Sequence, residues 1–207
     1  MVAPAPAPRR SIARVLPPHP VAAAITMLAF TALLYIVEAV DQVTALRLDE
    51  GGIVSRNLEG MLGIIWAPLL HAGWGHLIAN TVPFFVFGFL AMAGGIRQFI
   101  GVTAVIWVIS GLGVWLLGPD NATTVGASGV IFGWLVFLLA RGFFARSVLQ
   151  IGLAVVLVVV WGGILFGVLP GRDGISWQAH LFGALAGLLA AWLVARADRP
   201  AKPAAVG

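Results

Sequence analysis

The 207-residue sequence has no cysteine, one tyrosine, and charged side chains at only 10% of positions. Without cysteine there is no disulfide, no thiolate metal site and no cysteine nucleophile. A soluble domain carries about 25% charged and about 45–50% apolar residues. Here the apolar share is 60% and the mean hydropathy +1.02, so composition places the chain in a membrane as one compact domain. No HExxH box occurs and no two aspartates share an apolar run, which removes the zinc and aspartyl patterns of intramembrane chemistry. Alternating apolar–polar segments, the mark of a membrane β-barrel, are missing too.

What is there is a series of long apolar runs. The first, residues 21–40, matches the ~20 residues that cross a ~30 Å hydrocarbon core; no small-residue cleavage site follows it, so it reads as a retained span. Five more fall at about 76–94, 98–117, 127–145, 148–169 and 177–196. They must be helices, because lipid offers no partner to an open backbone N–H or C=O. The fold class is therefore all-α, a polytopic six-transmembrane-helix bundle. Residues 1–19 and 197–207 are basic, proline-containing tails flanking a domain over 20–196, and the first reads as disordered. The long connection 42–75 contains the apolar stretch 61–70, which suggests an interfacial helix or hairpin.

The few charges decide orientation. With the N-terminus inside, nine basic residues (Arg9, Arg10, Arg14, Arg97, Arg141, Arg146, Arg196, Arg199 and Lys202) lie inside, against Arg47, Arg56 and Arg172 outside. That bias follows the positive-inside rule. Six crossings, an even number, return the chain to the inside, and both tails are basic, so both termini are read as cytoplasmic.

Under that topology the second, fourth and sixth spans all run from outside to inside. His71, His76 and Asn80 stand at the outer start of the second, Ser128 at that of the fourth, and His180 at that of the sixth. Polar groups in spans are costly and face a partner or a water-filled cavity. Ser plus His is the minimum for nucleophilic acyl transfer. A serine in a first helical turn has unpaired backbone N–H groups beside it, suited to an oxyanion. His76 and Asn80, four residues apart, share a helix face. Gly129 and Gly133 on one span, and Ala179, Gly183 and Gly187 on another, form small-residue faces that let two backbones approach.

Gly126-Ala127-Ser128-Gly129, His71-x4-His76-x3-Asn80 and Ala179-His180-x2-Gly183-x3-Gly187 together resemble the signatures of the rhomboid intramembrane serine proteases, in that family's order. The resemblance implies a Ser128–His180 dyad, an oxyanion site from the Ser128 N–H, His76 and Asn80, and cleavage of transmembrane protein substrates. Arginine in place of lysine, with abundant alanine and glycine, points to a bacterial plasma-membrane protein, and the charge-based topology places the motifs, and so the active site, toward the outer leaflet. The family usually has a tyrosine four residues after the serine, stacked on the histidine; here Phe132 keeps the surface without the hydroxyl. The tryptophan–arginine pair often seen in the family's first outer loop is absent.

Plainer readings stand beside these. Ser128 can cap or pack its helix, His76 and Asn80 can orient one another or hold water, and His71 can brace the outer loop or touch substrate. Asp120 and Asp173 are the carboxylates near enough to orient His180, although loop aspartates are usually just solvated. Glu38 reads as interfacial. Gly162, Gly163 and Gly167 serve either bending of a lateral gate or packing. A metal held by His71, His76 and His180 lacks carboxylate support, so no metal and no cofactor are expected, and no nucleic acid; the partners are membrane lipid and transmembrane substrates. The competing function is a non-catalytic relative that binds membrane clients. The charge argument predicts that a fluorescent reporter folding only in the cytoplasm is bright at either terminus and dark within residues 42–75; a bright loop fusion reverses the orientation.

Overall fold

The computed structural model describes residues 14–44, 46–120, 122–171 and 174–197. Most of both tails, and Arg172 and Asp173 with them, fall outside that set. Helix α1 (Pro20–Val43) begins on a proline, whose missing N–H costs nothing in a first turn. Strand β1 (Ile53–Val54) and the four-residue helix α2 (Gly63–Trp66) belong to the first outer loop. Then come α3 (Trp74–Ala91), α4 (Ile96–Leu117), strand β2 (Thr123–Thr124), α5 (Ser128–Ala145), α6 (Val148–Trp161) and α7 (Trp177–Ala197). Six helical segments are long and apolar enough to cross a membrane, and the protein is an all-α polytopic membrane protein.

The span over 148–169 is not one regular helix. Beyond Trp161 it tightens into a 3-10 helix, Gly162–Val168. The steeper rise of that form, about 2.0 Å per residue against 1.5 Å, lengthens the end of the span that leads to α7.

Helix α5 is the centre: 61% of its span is buried, against 17% for α1 and for the α6 span. Trp134, Leu135, Phe137 and Leu138 on α5 meet Phe87 of α3 and Ile106 of α4 in one apolar core. Trp134 Nε1 donates to Thr103 Oγ1 at 3.0 Å, so the indole is buried without an orphaned donor. Against α7 there is no room for side chains. A methyl group at Gly183 would lie 2.0 Å from the Gly129 carbonyl oxygen, and one at Gly187 2.1 Å from that of Gly133. The sequence-inferred small-residue faces are thus the α5–α7 seam. Ser110 of α4 joins it by donating to the Ala179 carbonyl at 2.9 Å.

The first outer loop has structure of its own. α2 and the 3-10 turns that flank it, Gly60–Leu62 and Ala67–Leu69, turn Leu62, Ile65 and Trp66 outward. The inner side of α2 is tied down where Trp107 Nε1 donates to the Ile64 carbonyl at 2.7 Å. β1 pairs antiparallel with β2, Ile53 opposite Thr124. Arg56 then donates to the carbonyls of Leu116 and Gly118, each at 3.0 Å, and pairs with Asp120. Glu38, expected at the interface, is instead buried; it lies in line with Ala23, Met27 and Leu34 on the packed face of α1 and accepts from Gln42 at 3.0 Å.

Gly183→Ala is expected to destabilise the bundle by about 1–3 kcal/mol, the range for an overpacked site. Gly101→Ala, where a methyl group meets nothing within 4 Å, is expected to be neutral or stabilising by up to about 1 kcal/mol. Thermal unfolding of the two variants in one detergent checks the contrast.

Candidate active site

The approach to α5 requires a glycine. Gly126 has φ +122°, and a methyl group there would fall 2.6 Å from Cε1 of His76. Its N–H donates to the Ala67 carbonyl at 2.8 Å, so the outer loop fixes the turn before the serine. Ser128 is then the first residue of α5. The earliest ladder bond there runs from Ile131 N–H to the Ala127 carbonyl, and helix geometry leaves the amides ahead of it without an intrahelical acceptor.

His180 lies one turn into α7. Ser176, just before that helix, caps it, its hydroxyl accepting from Ala179 N–H at 3.3 Å. The α5–α7 seam then brings Ser128 Oγ within 2.9 Å of His180 Nε2. On the other side of the ring, His180 Nδ1 lies 2.9 Å from the Gly167 carbonyl oxygen. A carbonyl oxygen only accepts, so Nδ1 carries the proton and Nε2 presents its lone pair to the serine hydroxyl. Phe132, four residues after Ser128 and so on the same helix face, stacks on the imidazole with centroids 4.0 Å apart and planes 5° from parallel.

A cavity of about 300 Å³ opens onto this pair. Its walls include His76, Asn80, Ser128, Phe132, Gly167 and His180. A wider space of about 570 Å³ borders it, sharing His76, Val125 and Ser176. Asn80 is buried, and its Nδ2 has no partner among the described residues. Pro83 lines the cavity from within α3; having no N–H, it leaves the carbonyl of Ala79, in the same wall, without its helical donor. The chamber is thus apolar in outline with a few polar groups directed into it, and its chemistry suits nucleophilic acyl transfer: a hydroxyl, an oriented base, and donors nearby.

Of the sequence-predicted residues, the structure brings together Ser128, His180, His76, Asn80, Gly126 and Phe132, with Gly129 and Gly183 forming the seam beneath them. His71 stands apart. It is 2% exposed, is absent from the cavity wall, and meets the His76 ring edge-on with centroids 5.1 Å apart. Neither ring nitrogen has a hydrogen-bond partner among the described residues, so it neither reaches the chamber nor ties down the loop by a hydrogen bond. Burial, with a smaller contribution from His76, lowers its pKa from 6.5 to about 4. Asp120 is engaged with Arg56 at the surface and does not orient His180; Asp173 lies outside the described residues. Among the described residues no three His, Asp or Glu side chains group as a metal site. The Gly167 carbonyl was not legible as a site group, because a backbone atom leaves no residue-type signal.

The depressed pKa of His71 has a defined sign. The unfolded chain takes up the proton first, so the stability that neutral His71 provides is complete above pH 6.5 and is lost as pH falls toward 4. Over that window the loss is on the order of 3 kcal/mol. Unfolding curves between pH 7 and 4.5 are expected to fall less steeply for His71→Asn than for wild type.

Residues 59–197 match the family model described as the Rhomboid domain. A protein of Mycobacterium tuberculosis described as uncharacterized is 48% identical over 185 residues, 86% of this chain and 77% of its own length. The chloroplastic rhomboid-like protein 11 of Arabidopsis thaliana is 29% identical over 68% of this chain and 55% of its own. Rhomboid-like protease 5 of Toxoplasma gondii is 30% identical over 65% of this chain and 16% of its own.

Proposed function

The chain belongs to the rhomboid family, and on that footing we propose that it is an intramembrane serine endopeptidase that hydrolyses peptide bonds in or near transmembrane segments of other membrane proteins. The observation that carries this reading is the 2.9 Å contact between Ser128 Oγ and His180 Nε2, with the Nδ1 proton held on the far side of the ring by a carbonyl. A histidine serving only to pack or to cap a helix has no need of that tautomer facing a serine at the wall of a polar-lined cavity.

The steps follow from the geometry. Ser128 Oγ attacks the substrate carbonyl carbon while His180 Nε2 takes the hydroxyl proton. The negative charge gathers on the former carbonyl oxygen. The amide at the start of α5 and the side chains of His76 and Asn80 are the donors on hand, each worth about 3–4 kcal/mol where such a donor has been removed from other enzymes. As the C–N bond breaks, His180 returns its proton to the leaving amine. Water then attacks the acyl-serine, its proton passing to His180 and on to Ser128 Oγ as the ester bond breaks. Phe132 confines the imidazole to one plane throughout. A helical peptide bond is shielded by its own turn, so substrates whose helix is weakened near the outer leaflet are favoured. The charge bias supports a chamber facing the outer leaflet with both termini cytoplasmic, and the arginine-, alanine- and glycine-rich composition supports a bacterial plasma membrane.

Purified protein in liposomes is expected to cut a transmembrane reporter and to react with a fluorophosphonate at Ser128. Ser128→Ala and His180→Ala are expected to abolish cleavage, and Asn80→Ala to lower kcat by about 10²-fold. Wild-type protein that neither cuts nor labels would leave a client-binding member of the family.

A further inference from the structure

We propose that Gly167 is a positioning residue: its carbonyl sets the tautomer and aim of His180, so the base is in order only while the 3-10 end of the sixth-helix span is seated. This rests on the Ser128–His180 reading above.

Several observations converge. Among the described residues, no carboxylate hydrogen-bonds to His180; what faces the ring is the Ser128 hydroxyl, the Phe132 face and the Gly167 carbonyl. An imidazole free to choose divides between two tautomers, of which one presents a lone pair to the serine. In the serine proteases that use a carboxylate, losing the correct tautomer costs about 10⁴ in kcat.

Local sequence keeps this carbonyl available. In a 3-10 helix each carbonyl accepts from the N–H three residues on, and the Leu169 N–H does so to Phe166. The donor due to Gly167 is residue 170, which is a proline and has no N–H. The chain turns extended at Leu169 (φ −89°, ψ 141°), and the carbonyl of Gly167 is left to the imidazole. Glycine is needed for the approach itself, since a methyl group there would lie 2.9 Å from Phe132 Cζ and 3.0 Å from His180 Nδ1. Gly163, on the same segment, is exposed and has nothing within 4 Å of a methyl group. The two glycines therefore differ in what they touch rather than in backbone type.

The coupling has a mechanical consequence. Any outward displacement of Gly162–Val168, as in lateral admission of a substrate helix, withdraws the acceptor from Nδ1 and disarms the base. Chemistry is confined to the seated state.

The test uses the full-length protein in liposomes, with three readouts: fluorophosphonate labelling rate at Ser128, kcat and KM on a transmembrane reporter, and ¹⁵N shifts of the His180 ring. Gly167→Ala is expected to lower labelling and kcat tenfold to a hundredfold, short of the ~10⁴ limit. Its KM should stay within about twofold, because the added methyl group meets Phe132 and His180 and every other cavity wall is unchanged. Its ¹⁵N spectrum should lose the pure Nδ1–H pattern of wild type. Gly163→Ala, with the same change in helix propensity, is expected to match wild type in all three. Pro170→Ala, at an exposed position, frees Leu169 to turn helical and supplies an N–H that then competes for the Gly167 carbonyl, so it is expected to slow labelling several-fold; it carries the test if Gly167→Ala does not fold. Wild-type labelling with an unchanged Nδ1–H signal in the folded variants overturns the proposal, as does full recovery in Gly167→Ala/Phe132→Leu, which would trace the defect to packing on Phe132. Failure of wild type itself to label overturns the protease reading instead, and the ¹⁵N comparison still decides the role of Gly167.

Discussion

At Gly183 a methyl group would sit 2.0 Å from the carbonyl oxygen of Gly129, and at Gly187 2.1 Å from that of Gly133. α5 and α7 are therefore in backbone contact, at a separation fixed by peptide groups rather than by adaptable side chains. Everything at the outer end inherits that fixity. Ser128 stands one residue before Gly129 and His180 three before Gly183, so two short lever arms from a rigid seam set the 2.9 Å contact between them. Interiors packed to crystal-like density transmit strain over short distances, and here the distance is under one helical turn. The Ser128–His180 contact needs no flexible loop to assemble it.

The choice of a carbonyl over a carboxylate to orient the histidine suits the surroundings. A buried ionised carboxylate would carry a desolvation cost of several kcal/mol unless paired. A peptide carbonyl is already present and neutral, and needs its own partner once buried. One hydrogen bond thus satisfies the backbone of the 3-10 segment and the ring of His180 together. Asp120 is then free for a surface role, joining Arg56 in tying the outer loop to the C-terminal end of α4, close to where β2 leads into Gly126.

Hydropathy and charge made the six spans legible, because lipid admits so few backbone arrangements. The level of the polar motifs was legible too, since alternation of direction puts the starts of α3, α5 and α7 on one side. The seam could be read from glycine spacing. What escaped was whatever depends on backbone atoms or on contacts distant in sequence. The Gly167 carbonyl has no residue-type signature, although Pro170 three positions on was a clue to it. Arg56 looked like one more outer-loop charge until its carbonyl partners, some 60 residues away, were in view. His71 shares a motif with His76 but not a surface, because Gly73 (φ +106°) and the start of α3 turn the chain between them. Glu38 looked interfacial by hydropathy, and only the packed face of α1 buries it.

The position of α7 bears on biosynthesis. A chain inserted span by span presents α1, α3 and α4 to the bilayer before their central partner α5 exists, and α5 before the glycine seam has a second half. His180 belongs to the last of the six spans. The hydrogen bond it makes with Ser128 bridges 52 positions and forms only after α7 has crossed. A partly translated molecule thus contains Ser128 without His180, and under the proposed protease function the membrane proteins around the insertion site meet no complete dyad until synthesis has passed that point.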